Sequence, residues 1–131
     1  MATLTPTLTL AGSAADFGDA LSISVTDSLT LGDNDAKISA VISPDDVSPG
    51  GTQIFDTNIG KSYVYVKNIH ASLIIYLTAA AATAESAAWM ELAPGEFAFF
   101  PWAGVVNLFA NTGDNGAGIA TAGLEYMVWE A

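Results

Sequence analysis

The side chains able to do chemistry in this chain are few. They are Lys37, Lys61 and Lys67, a single histidine, His70, and fourteen carboxylates, with no cysteine and no arginine among 131 residues. Nucleophilic, general-base and phosphate-handling sites need Cys, His, Lys or Arg beside a partner. His70, which follows Lys67-Asn68-Ile69, could serve as a base or a metal ligand only with a partner that the sequence does not supply. It reads as a turn residue, with pH sensing at an interface as the remaining option. Asp33-Asn34-Asp35 and Asp45-Asp46 offer oxygen ligands for Ca²⁺, but their spacing does not fit the twelve-residue EF-hand loop. Turns in which Asx side chains bond their own backbone explain them more simply. Glu91 and Glu96 could face each other across a hairpin as an acid/base pair for glycoside cleavage. Charges at strand ends that suppress edge-to-edge aggregation are the plainer reading. No catalytic residue, metal or cofactor is expected, and the chain reads as structural or binding rather than enzymatic.

Composition points the same way. Hydrophobic types make up 51% of the chain against 13% charged, and the net charge is −11. Such a charge repels phosphate backbones and anionic lipid, so neither nucleic acid nor membrane is expected as a partner. The longest apolar stretch, Leu73 to Leu77 with the alanines beyond it, is broken by Thr78, Thr83 and Glu85, well short of a bilayer span. The first ten residues alternate and carry no positive side chain, so no export signal is expected. The length suits one domain.

The elements that must position these residues are strands. Leu4, Leu8 and Leu10 alternate with threonines; Leu21, Ile23, Val25, Leu29 and Leu31 alternate with Ser22, Ser24, Thr26, Ser28 and Thr30. This is the period of half-buried strands. Pro6 marks an edge or an arm, and Asp27, which interrupts the apolar face, suggests a bulge or bend. Leu8-Thr9-Leu10 is echoed by Leu29-Thr30-Leu31, two similar strands rather than a solenoid. From Ser43 to Thr52, two prolines and two glycines make a turn-rich connection. Beyond it lie all three Trp, all four Tyr and five of the six Phe. We therefore expect strands or an arm over residues 1–52 and the sandwich core over 53–131, within one domain overall.

Strands are predicted at 53–57, 62–68, 72–78, 88–92, 96–101, 105–110 and 123–130, the spacing of a sandwich or jelly roll. Pro94-Gly95 places a hairpin turn between two of them. Asn115-Gly116 suits a tight, exposed reversal, and the alanine-rich stretch 79–88 reads as a loop with one helical turn. In the strand Phe97 to Trp102, Phe97 and Phe99 share one side while Phe100 and Trp102 share the other. Both faces of this strand are thus apolar, as are those of the closing strand, with Leu124, Tyr126 and Val128 on one face and Met127 and Trp129 on the other. Two covers are needed: the second sheet, and a neighbouring chain or, as the rival expectation, the N-terminal arm of the same chain. Phe100, Trp102, Met127 and Trp129 are the candidate interface residues. The rival expectation for the aromatics is sugar stacking, with Trp89 or Trp102 exposed.

Three segments, Tyr63-Val64-Tyr65-Val66-Lys67-Asn68, Leu92-Ala93-Pro94-Gly95-Glu96-Phe97-Ala98-Phe99-Phe100 and Leu124-Glu125-Tyr126-Met127-Val128-Trp129-Glu130, resemble those of small virion proteins of tailed bacteriophages. The resemblance covers residues 55 to 131. It implies an all-β fold, an antiparallel β-sandwich or jelly roll with an extended N-terminal arm or edge strands. It also implies a capsid decoration or cement protein on the outer capsid surface of the virion, a homo-oligomer, expected as a trimer, bound to the major capsid protein. Placement on a tail, as a host-attachment carbohydrate-binding module, is the alternative.

Overall fold

The computed structural model describes residues 2–17, 21–32, 38–44, 51–56, 59–79, 87–112 and 123–131. The chain divides into two units, residues 1–34 and 35–131. The expected helical turn at 79–88, most of the connection 43–52, the Asn115-Gly116 reversal and the Asp33–Asp35 and Asp45–Asp46 clusters lie outside the described residues.

The first unit is one long hairpin. Strands β1 (Ala2–Leu4) and β2 (Thr7–Gly12) run up; after a four-residue helix, α1 (Ala14–Phe17), β3 (Leu21–Thr26) and β4 (Leu29–Leu31) run back. β1 pairs with β4 and β2 with β3, and the register continues unchanged from Ala2 opposite Leu31 to Gly12 opposite Leu21. The ladder is interrupted at Pro6, which has no N–H to donate. There the Asp27 N–H donates to the Pro6 carbonyl at 3.2 Å, while the Asp27 carboxylate accepts from the Ser28 N–H at 2.7 Å. Of the bulge or bend expected at Asp27, the bulge is absent. A bulge would shift the register by one, and it does not shift.

The second unit contains the strands β5 (Ile38–Ile42), β6 (Thr52–Phe55), β7 (Ser62–Asn68), β8 (Ile75–Thr78), β9 (Ala88–Leu92), β10 (Phe97–Trp102), β11 (Leu108–Asn111) and β12 (Leu124–Glu130). They form two antiparallel sheets, ordered β10-β7-β12-β5 and β6-β11-β8-β9. The pairing is nested: β5 with β12, β6 with β11, β7 with β10, β8 with β9. A single long ribbon rolled up so that β12 meets β7 and β11 meets β8 has the jelly-roll topology. The fold is all-β, as expected. The sandwich starts at β5 rather than at residue 53, because Ile38, Ala40 and Ile42 pack on the core and β5 completes the first sheet. Sequence reasoning passed over β5 since Val41 beside Ile42 blurs the alternation and Ala40 is small.

Alternation decides what fills the core. Val64 and Val66 of β7, Leu124, Tyr126 and Val128 of β12, Ile75 and Leu77 of β8, and Leu108 and Ala110 of β11 are buried together. The register between β6 and β11 shifts at Leu108/Phe109, and this irregularity lets the consecutive Ile54 and Phe55 both enter the core. Full burial of a side chain of this size contributes roughly 1.5–3 kcal/mol before the entropy of ordering is counted.

Candidate functional site

Strand alternation that turns Val64 and Val66 inward must turn Tyr63, Tyr65 and Lys67 outward. The pairings of β7 with β10 and β12, and of β12 with β5, then set out the outer face of the first sheet as a grid. One row runs Phe97, Lys67, Glu125, Val41; the next runs Phe99, Tyr65, Met127, Ser39; the third runs Pro101, Tyr63, Trp129. Tyr63 stacks with Phe99 at a centroid distance of 6.2 Å and 12° between planes, and Tyr65 lies tilted against Phe97 at 6.4 Å. Phe97 is 63% exposed and heads the apolar surface, which Phe99 and Val41 extend. At strand spacing, the grid, charged and polar members included, covers on the order of 300 Å², the size of the largest apolar patch on many monomers, which is often functional. Its two charges, Lys67 and Glu125, are cross-strand neighbours. The Tyr65 hydroxyl donates to Glu125, and burial, followed by the charge of that carboxylate and the hydrogen bond itself, holds the Tyr65 pKa above its ordinary value.

Of the four residues expected at the interface, Met127 and Trp129 stand on this face. Phe100 and Trp102 lie behind it, because they are register partners of the inward Val64 and Ser62. They pack on the core and meet Trp89 of β9, at 5.2 Å edge-on for Phe100 and 5.5 Å stacked for Trp102. The Trp102 indole N–H donates to the Val106 carbonyl at 3.0 Å. The four are therefore not one surface. Phe97, Phe99, Tyr63 and Tyr65 complete the outer face; sequence reasoning missed them, and alternation read jointly along the strands 62–68 and 97–102 is the signal that could have found them.

His70 and Glu96 serve the backbone. His70 Nδ1 accepts the N–H groups of Ser72 (3.2 Å) and Leu73 (3.0 Å), which makes it the turn residue that was expected. Pro94-Gly95 forms the expected turn: Gly95 has φ +84°, as the second central position of a type II turn requires, and Glu96 N–H donates to the Ala93 carbonyl. Glu91 and Glu96 do share an open groove of about 570 Å³, with Met90 and Phe97 among its walls. The Glu96 carboxylate, however, accepts the Ala93 N–H at 2.8 Å and braces the turn. Among the described residues no group of three or more His, Cys, Asp or Glu could hold a metal ion, and no helix is long and apolar enough to cross a membrane.

A second groove, of about 330 Å³, opens between β5 and β6, with Ile38, Phe55, Asp56 and Tyr126 in its lining. Burial pushes the Tyr126 phenol above its usual 10.0. An unfolded tyrosine ionises near 10, so the contributions of Tyr126 and Tyr65 to stability are fully present below pH 10 and are lost as pH rises through their higher folded values. Urea midpoints followed across the alkaline range should fall beyond pH 10, and Tyr126→Phe should flatten that fall. An unchanged alkaline slope in Tyr126→Phe would contradict the assignment.

Compared with protein-family models, with characterised proteins and with solved structures, the chain matches none.

Proposed function

We propose that the protein is a virion structural protein, a capsid decoration or cement protein that binds the major capsid lattice through the outer face of the β10-β7-β12-β5 sheet and stabilises the head. The observation that carries this reading is that face: an aromatic surface bearing one lysine and one glutamate, in a chain of net charge −11. Bulk charge directs acidic surfaces to solvent, and the aromatic grid is where water is most readily displaced. Tyr, Trp, Phe and Met are the residue types enriched at the centres of protein interfaces. Nothing in the reading calls for a catalytic group, which suits side chains committed to turns and hydrogen bonds. The jelly roll supports it only as a fold that recurs in capsids and lectins alike.

The test is co-sedimentation of purified protein with heads stripped of it. Phe99→Glu combined with Met127→Glu should weaken binding by roughly a hundredfold or more, since each buries an unpaired charge in the contact, while thermal unfolding stays near wild type because both side chains face outward. Wild-type protein that fails to sediment with heads, or a double variant that binds equally well, defeats the proposal. One observation favours the second reading, a carbohydrate-binding module on a tail: Trp89 is 42% exposed and lies stacked on Trp102, an arrangement suited to a sugar ring. Under that reading glycan addition changes the Trp fluorescence; under the decoration reading it does not.

A further inference from the structure

β10 is the last strand of its sheet, with β7 as its neighbour on one side only. In an antiparallel ladder successive residues turn their N–H and carbonyl groups alternately toward the partner strand and away from it. The Asn68 N–H donates to the Glu96 carbonyl at 2.9 Å, and this fixes the phase. Ala98, Phe100 and Trp102, in step with Glu96 and opposite Val66, Val64 and Ser62, face β7; Phe97 and Phe99 direct their backbone groups to the open side. Pro101 has no N–H and ends the row of donors. Beside this short edge runs the open groove of about 570 Å³, walled by Met90, Leu92 and Ala98 and carrying the carboxylates of Glu91 and Glu96. Toward the other end of β10 the two outermost strands are bridged, since Trp89 of β9 packs on Phe100 and Trp102.

We infer that β10 takes up an added strand, an extended segment of another protein that bears lysine or arginine at alternate positions. Unpaired N–H and carbonyl groups spaced along a strand are satisfied by another backbone in the same conformation. Residues opposite each other share a face, so occupant side chains level with Ala98 enter the groove, where Glu91 and Glu96 favour a cation. Those level with Phe97 and Phe99 extend the outer face, where apolar types fit. The bond from the Ala93 N–H occupies one Glu96 oxygen and leaves the other for the occupant. A second copy of the chain does not meet these requirements. A net charge of −11 makes like chains repel. Lys61 and Lys67, the lysines among the described residues, stand just before and within β7, whose two edges are taken by β10 and β12. The same carboxylates thus turn away the acidic edges of other copies and select a basic strand.

This inference concerns a strand edge and does not rest on the capsid reading; its test uses free protein without heads. A random-peptide library displayed on yeast and selected on the full chain should enrich peptides with Lys or Arg at every second position. An enriched peptide, added in synthetic form, should slow amide exchange at Phe97 and Phe99 and leave exchange along β5, the opposite edge of the sheet, unchanged. Glu91→Lys, which reverses an exposed charge, should weaken its binding about fivefold. Phe97→Pro removes one free donor from an edge where proline is tolerated and should weaken it about tenfold. Near-ultraviolet circular dichroism should match wild type in both variants; where Phe97→Pro departs from it, Glu91→Lys and the exchange data decide. Enrichment of no peptide or of acidic ones, a bound peptide that leaves exchange at Phe97 and Phe99 as it was, or undiminished binding by Glu91→Lys overturns the inference. Slow exchange at these two amides in the free chain overturns it as well, because the edge is then already covered.

Discussion

Replacing Asn68 with alanine is expected to destabilise the jelly roll by about 4 kcal/mol, close to the limit that a small domain tolerates. Asn68 ends β7 and is fully buried. Its side-chain amide donates to the carbonyls of Leu73 and Leu92, both at 2.8 Å, and its oxygen accepts the His70 N–H at 2.9 Å. Its backbone N–H and carbonyl pair with the Glu96 carbonyl and the Gly95 N–H. One residue thus ties the end of β7, the 69–74 loop, the last residue of β9 and the Pro94-Gly95 turn. Alanine keeps the backbone bonds and deprives three partners at once, the bond to Leu92 buried and those to Leu73 and His70 part-buried, each costing of order 1–3 kcal/mol when left without a bond. Asn68→Asp should be no milder at neutral pH, because a carboxylate would face the Leu73 and Leu92 carbonyls. Urea denaturation followed by Trp fluorescence measures both; a loss under about 1.5 kcal/mol for the alanine variant would show that water replaces the network.

Gly104→Ala is expected to be at least as damaging, about 3 kcal/mol or more, while Gly60→Ala should cost only about 1 kcal/mol. The two glycines have nearly the same backbone, φ +73° and +77°, so the left-handed conformation alone penalises both alike. Space separates them. A Cβ at Gly104 would fall onto the carbonyl group of Gly60, whereas one at Gly60 meets no atom within 4 Å among the described residues. The clash is backbone on backbone, and no rotamer relieves it. The Gly60 carbonyl also accepts from the Ser62 hydroxyl, and next to it Lys61 accepts from the Ala131 N–H, so displacing it disturbs the start of β7 and the end of the chain. Similar losses for the two variants would mean that conformation, and not the close approach, decides.

Much of the fold was legible because strand patterning is local. β7 and β9 match their predicted limits, and the Pro94-Gly95 turn follows from the φ preferences of two residues. The strands at 72–78 and 105–110 are shorter, starting at Ile75 and Leu108, since an apolar residue marks burial but not whether its backbone finds a ladder partner. The candidate site was half legible. Alternation along β10 correctly separated Phe97 and Phe99 from Phe100 and Trp102, yet a single strand does not reveal which of its two apolar sides meets the other sheet. That required β7, whose Val64 and Val66 point the way Phe100 and Trp102 follow. Asn68 gave no signal at all, because an asparagine at a strand end is ordinarily a solvated turn residue and only the arrival of Leu73 and Leu92 makes it a hub.

By itself, then, the sequence determined how few chemistry-bearing side chains are present, three lysines and one histidine, the all-β character and the alternating faces of the N-terminal strands, since each depends on residue type and on a period of two. Tertiary structure alone decided the nested strand order, the inward turn of Phe100 and Trp102, the aromatic grid that Tyr63 shares with Phe99 and Trp129, and the contact of Gly104 with Gly60. These bring together residues tens of positions apart, and which strand lies beside which is settled by burial of the whole core rather than by any local preference.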